Sequence, residues 1–149
     1  APSGRASPLS DGSAVANVSR ADRAKPRGLT PRARVISTAV TGLSPEVMGH
    51  GPADAIRLAL KRAGKTVDDI DLFEINEAFA AQVIPSYKDA GIPIDKLNIH
   101  GGAIAVGHPF GMTGARTTGT LLHGLPSQAQ TFGDESMAVG LGLGRALVL

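Results

Sequence analysis

The sequence predicts an α/β fold, a layered sheet with helices on its faces. Short β-branched or small-apolar runs alternate with segments whose apolar residues recur at helical spacing. Glycine and proline punctuate almost every junction between them. The chain has 149 residues, 42% hydrophobic and 19% charged, which is the balance of one globular domain with its own core. Only 3% is aromatic, so that core is expected to be aliphatic.

Residues 1–12 are rich in Ser, Gly and Pro and read as loop. "SAVANV", Ser13–Val18, is small and apolar and is expected to be a short strand. Arg20–Arg27 reads as a short polar helix with Ser19 as its N-cap. "RVISTAV", Arg34–Val40, lies between Pro31 and Gly42 and reads as a strand. The clearest helix follows. Ile56, Ala59, Leu60 and Ala63 share one face, while Arg57, Lys61 and Arg62 share the other. Pro52 suits its first turn and Gly64 its C-terminal stop. Thr66 and Asp69 are spaced as a capping box.

Leu72–Ile75 reads as a short buried strand. The segment "NEAFAAQVIPSYKDAG" then predicts a helix opening at Asn76, with Phe79, Val83 and Tyr87 four residues apart. Pro85 lacks an N–H and crowds the preceding turn, so a kink or early stop is expected there. Thr113–His123 is a third helix. Ser136–Val139 and Arg145–Leu149 read as closing strands around the turn Gly140–Gly144. There is no internal repeat and no long linker.

The absence of cysteine excludes a disulfide, a thiolate metal site and a thiol nucleophile within these residues. No apolar run is long enough for a membrane span. No leader pattern follows Ala1 and no peroxisomal address closes the sequence. The expected location is therefore intracellular, the cytoplasm first and an organelle matrix second. The missing initiator Met suggests processing or a partial chain. Net charge is +2, and six basic residues crowd between Arg20 and Arg34. They read as a solvated face or as an attraction for an anionic ligand. No aromatic residue interleaves them, and no nucleic-acid partner is expected.

"GLGLG", Gly140–Gly144, superficially resembles a dinucleotide loop. Such a loop must open a helix that holds the pyrophosphate. Here a strand follows, so a tight turn with exposed N–H groups is the better reading.

Two other places invite chemistry. His108 stands in "HGGAIAVGHPFGMTGAR", which holds five glycines in seventeen residues. A lone histidine is commonly structural. Held rigidly beside free backbone donors, one of near-neutral pKa suits general acid–base work. Asn76 and Glu77 directly follow a strand, where ligands sit in α/β folds. Asn76 also reads as a helix N-cap, and both readings stand on local grounds.

"NEAFAAQ" (76–82), "NIHGGAIAVGHPFGMTGAR" (98–116) and the closing "GLGLGRALVL" together resemble the C-terminal part of a thiolase. "ASPLSDGSA" (6–14) is similar to the segment that ends the family's N-terminal domain. The resemblance implies a thiolase-like layered fold whose C-terminal domain has a mixed sheet with helices on both faces. Residues 1–30 would be the end of the N-terminal domain plus linker, and residues 31–149 the C-terminal domain. The implied reaction is thiolytic cleavage of 3-ketoacyl-CoA, or Claisen condensation in reverse. Coenzyme A and acyl-CoA would be substrates, with no covalently bound cofactor and no metal.

The resemblance also implies residue roles. His108 would deprotonate a nucleophilic cysteine and donate to the thioester oxygen. Asn76 would hold a water completing that oxyanion hole, and the Gly140 N–H would help form a second. Ala78 and Phe79 would line the pantetheine path, and Ser7 would contact the pantetheine amide. Two departures stand out. The segment carrying the family's acyl-accepting cysteine is not in this sequence. The position of its other cysteine, two before Gly140, is Ala138. Leu141 also stands where glycine is common.

The leading expectation is thus the C-terminal catalytic half of a thiolase-type acyltransferase, inactive alone. Its nucleophile would come from a missing segment or partner chain, within a homo- or hetero-oligomer. The alternatives are a catalytically impaired thiolase-like protein that binds CoA thioesters or assembles with another enzyme, other chemistry on the same fold, and a structural module.

Overall fold

The computed structural model describes residues 2–149. Its helices are α1 (Ala21–Ala24), α2 (Gly51–Ala63), α3 (Ala80–Ala90), α4 (Ala103–Val106) and α5 (Thr113–Ser127). The strands β1 (Ser37–Gly42), β2 (Leu72–Ile75), β3 (Gly133–Val139) and β4 (Leu143–Val148) form one sheet in the order β1-β4-β3-β2. β2 runs parallel to β3, whereas β4 is antiparallel to both β1 and β3. The sheet is therefore mixed, as expected.

Side-chain alternation along the strands gives each face its own core. Phe73, Ile75, Ala146 and Val148 pack with Ile56, Ala59 and Leu60 of α2. Leu72, Leu147 and Leu149 pack on the other face with Leu121 and Leu125 of α5. Helices cover both faces, and α3 packs outside against α2. Each fully buried large aliphatic side chain contributes about 1.5–3 kcal/mol.

α2 opens directly over β4. The Gly51 backbone lies so close to that of Gly144 that a Cβ on Gly144 would overlap the Gly51 carbonyl. Contact of backbone with backbone lets the helix reach the sheet here. At its other end, the Gly64 N–H caps the helix through the carbonyls of Leu60 and Lys61.

Several expectations are corrected. Residues 13–18 form no strand; they run outside the sheet, with Val15 96% exposed. A strand needs a ladder partner, which small apolar side chains do not reveal. Ser19 is not an N-cap: Arg20 occupies that position, and the Ser19 hydroxyl donates to its carbonyl. The helix expected from Asn76 starts at Ala80, because Phe79 is extended and bridges to Ala6. That helix passes through Pro85 to Ala90 without an early stop. Between Thr66 and Asp69, the carboxylate does accept from the Thr66 N–H and hydroxyl, at 2.7 and 2.9 Å.

α5 outruns its expected end at His123 and includes Pro126. Proline there leaves the Leu122 carbonyl without its N–H donor one turn on. The Arg32 guanidinium donates to that carbonyl instead, at 3.1 Å. β3 begins three residues earlier than expected and takes in Asp134 and Glu135, charged residues that are fully buried.

Candidate functional site

Because β2 and β3 are parallel, the residues that follow them emerge at the same end of the sheet. Asn76 follows β2, and its N–H donates to the Ser136 carbonyl of β3 at 2.9 Å. Ala138 lies near the end of β3 and Gly140 just beyond it. Asn76 is 3% exposed and its Oδ1 is buried with no hydrogen-bond partner. It does not cap a helix, so its carboxamide is not consumed as a cap.

The segment after Pro2 lies across this end. Ala6 pairs with Phe79, and the Ser7 N–H donates to the Ala78 carbonyl at 3.1 Å. Ser7, Ala78 and Phe79 are thus adjacent. Ser10 packs on Gly107, where φ is +90° and a Cβ would overlap the Ser10 hydroxyl. Only glycine permits that turn and that approach together.

His108 sits next to this contact. Its Nδ1 is 2.6 Å from Thr113 Oγ1, and that hydroxyl donates to the Pro109 carbonyl at 3.0 Å. When the Thr113 hydroxyl donates to Pro109, its oxygen accepts from Nδ1–H. Nε2 is then the unprotonated ring nitrogen of neutral His108. The Phe110 ring lies 5.0 Å from the imidazole, centroid to centroid. An open cavity of about 380 Å³ is lined by Leu9, Ser10, Asp11, His108 and Phe110. Partial burial, and then the nearby Arg116 cation, hold the His108 pKa below its ordinary 6.5.

Arg116, one turn into α5, is anchored on the sheet. Its Nη1 donates to Glu74 at 2.9 Å, and both side chains are largely buried. This pairing places the start of α5, and hence His108, over the end of β2 that leads to Asn76. Burial outweighs the arginine and raises the Glu74 pKa to about 7. Beside it, Glu135 accepts from Thr117 at 2.9 Å and pairs with Arg145. Asp134, on the opposite face, is fully buried with both carboxylate oxygens unpartnered. Its pKa is raised well above the ordinary value by burial.

Gly140 and Leu141 form the exposed tip between β3 and β4, and Gly142 beside them is buried. Leu141 has φ +70°, a left-handed backbone that costs a non-glycine residue roughly 1–2 kcal/mol.

Sequence reasoning did not single out Thr113, Asn98 or Arg116. The spacing of Thr113, one helical turn past Pro109, was the available signal for the first. The others act through long-range contacts that no local pattern reports. No group of three His, Asp or Glu side chains that could hold a metal ion occurs among the described residues. No helix among them is long and apolar enough to cross a membrane.

Comparison with known proteins bears directly on this arrangement. Residues 29–149 match the family model described as "Thiolase, C-terminal domain". The 3-ketoacyl-CoA thiolase of Aeromonas hydrophila is 52% identical over 148 residues, covering 97% of this chain and 38% of the relative. That of Cronobacter sakazakii is similar at the same identity and coverage. Human mitochondrial 3-ketoacyl-CoA thiolase in complex with CoA superposes with a TM-score of 0.84 and 41% identity, over 86% of this chain and 32% of that one. The Bacillus anthracis acetyl-CoA acetyltransferase gives 0.83 and 43% identity, with the same coverage. The chain spans about two-fifths of the length of the curated relatives it matches.

Proposed function

The chain belongs to the thiolase family, and from that premise we propose that it is the acid–base and oxyanion half of a thiolase active site. Residues 1–30 close the N-terminal domain and residues 31–149 form the C-terminal domain. The substrates are acyl-CoA and 3-ketoacyl-CoA thioesters. The acyl-accepting cysteine comes from N-terminal sequence or from a partner chain, because these 149 residues contain none. The assembled protein is an oligomer that works inside the cell.

In this reading His108 Nε2 takes the proton of the incoming cysteine thiol. The resulting thiolate attacks the 3-keto carbonyl of the substrate. The protonated Nε2 and a water held by Asn76 donate to the oxyanion that forms. Collapse breaks the Cα–Cβ bond, leaving an acyl-cysteine and a CoA thioester carbanion, and the carbanion takes up one proton, equivalent to the one His108 removed from the thiol, so that His108 returns to its neutral form. The Gly140 N–H helps hold the acyl-enzyme carbonyl while the CoA thiol attacks it. Fixed donors of this kind contribute about 10²–10³ in rate each. Ala78 and Phe79 line the pantetheine path, and Ser7 meets its amide.

The supporting observation is the hydrogen-bond chain from His108 through Thr113 to the Pro109 carbonyl, which leaves Nε2 free as a base. Ala138 favours a second reading. Alanine cannot move the proton at the substrate α-carbon, so the protein would bind CoA thioesters or assemble with another enzyme while turning over poorly.

The test pairs this chain with the cysteine-bearing N-terminal part of a relative and supplies acetoacetyl-CoA and CoA. Acylation of that cysteine is expected, and His108→Ala should abolish it. Acylation that survives His108→Ala would sink the assigned role. Ala138→Cys restoring condensation would mark the unmodified chain as catalytically impaired.

A further inference from the structure

We infer that Asn98 and Glu77 form a clamp that fixes Asn76, making both of them positioning residues for the site. The inference rests on the proposed function only for what Asn76 does once it is held.

β2 is an edge strand, and residues 97–98 lengthen the sheet beside it. Leu97 bridges to Phe73 in parallel, and the Asn98 N–H donates to the Phe73 carbonyl at 2.8 Å. At Asn98 the backbone turns left-handed, with φ +48°, and leaves the ladder. Its side chain takes over. Asn98 Oδ1 accepts from the Ile75 N–H and Nδ2 donates to the Ile75 carbonyl, both at 2.9 Å. A carboxamide carries the same donor and acceptor as a peptide group, so it occupies both rungs that a next strand residue would fill. Asparagine also tolerates the left-handed backbone better than most residues.

The clamp continues beyond Asn76. Asn98 Nδ2 also donates to Glu77 Oε1 at 3.0 Å, and Glu77 Oε2 accepts from the Ile104 N–H at the start of α4, again at 3.0 Å. The Glu77 carboxylate occupies the space that a side chain on residue 102 would need, and Gly102 leaves it open. Asn76 is therefore bracketed. Ile75 before it is held on both polar groups, Glu77 after it is held on both oxygens, and its own N–H is bonded to Ser136. Its Oδ1 makes no bond that could fix its direction. The orientation of that side chain is set by the backbone, and Asn98 with Glu77 sets the backbone. The same clamp ties the loop of Asn76 to the loop that leads into Gly107 and His108.

The experiment uses protein labelled with ¹⁵N on asparagine. The chain has three, Asn17, Asn76 and Asn98, and Asn17 is exposed. Asn98→Gly keeps the left-handed backbone and deletes the clamp. The Asn76 carboxamide signals are expected to move toward those of Asn17, with about tenfold faster hydrogen exchange. Core methyl signals around Ile56 should stay in place. Glu77→Gln loses one of its two acceptors with little change of size, and should shift the same signals part-way. It decides the matter if Asn98→Gly fails to fold. Unchanged Asn76 signals in a folded variant would overturn the clamp.

With the N-terminal part supplied, Asn98→Gly should lower kcat about tenfold while KM stays near its original value. If that assembly shows no turnover even without substitutions, the proposed function fails and the spectroscopic result stands.

Discussion

The Nδ1 atom of His108 lies 2.6 Å from Oγ1 of Thr113, and that hydroxyl donates a hydrogen bond to the Pro109 carbonyl. This order of donors decides which ring nitrogen of neutral His108 is bare. Thr113→Val should release it, raising the population of the Nε2–H form, while Thr113→Ser should preserve the native one. The ¹⁵N shifts of the ring report the two forms directly. Turnover in the complemented protein should fall roughly tenfold or more with valine. Identical ring shifts in wild type and Thr113→Val would refute the assignment.

The same histidine titrates below 6.5 because burial and the Arg116 cation both disfavour its charged form. Below that pH the unfolded chain takes the proton more readily than the folded one, so stability falls as pH drops. Arg116→Met, made with Glu74→Gln to avoid stranding the carboxylate, should move the His108 midpoint upward in an NMR titration. A downward or absent shift would show that the cation does not act on the ring.

Glu74 gives the opposite sign. Its folded pKa is about 7, above the ordinary 4.5, so the folded protein holds a proton that the unfolded chain has lost. Its contribution is fully present below about 4.5 and disappears as pH rises through about 7. Urea titrations of wild type and Glu74→Gln should diverge over that window, with the variant showing the flatter profile. Parallel curves would contradict the assignment.

Asp134 should be replaceable with gain. Both its oxygens are buried without partners, which costs about 1–3 kcal/mol for a polar group and more for a charged one. Asp134→Val puts a β-branched residue into the buried first half of β3. Stability at pH 8 should increase by about 1–3 kcal/mol by chemical denaturation. A loss would mean that the carboxylate has a function in the core.

Gly144→Ala should be costly. A Cβ there meets the Gly51 backbone, and no side chain can rotate away to make room. The expected loss is about 1–3 kcal/mol or more, because α2 must lift from β4. A thermal midpoint within a degree of wild type would show that the helix moves freely.

The helix α2 and strand β2 were legible because their signals are local. Ile56, Ala59 and Leu60 repeat at helical spacing, and Leu72–Ile75 is a short stretch, apolar but for Glu74, between turns. The start of β3 was hidden because Asp134 and Glu135 are charged residues in the buried first half of the strand. Pro85 reads as a kink or early stop, yet α3 passes through it, and α5 runs past its expected end at His123 through Pro126. At the site, the residues singled out by motif lie at one end of the sheet. What supports them was invisible, since Asn98 lies 23 positions from Ile75 and Arg116 lies 42 from Glu74. Contacts of that separation have no signature in spacing.

The strand order has a consequence for synthesis. β1 and β2 leave the ribosome first but stand at opposite edges and share no ladder. The two strands that join them, β3 and β4, are made last. A nascent chain halted before Gly133 therefore lacks the two strands that join β1 to β2. The full four-stranded sheet is withheld until β3 and β4 emerge, and until then β1 and the β3-facing edge of β2 stay unpaired.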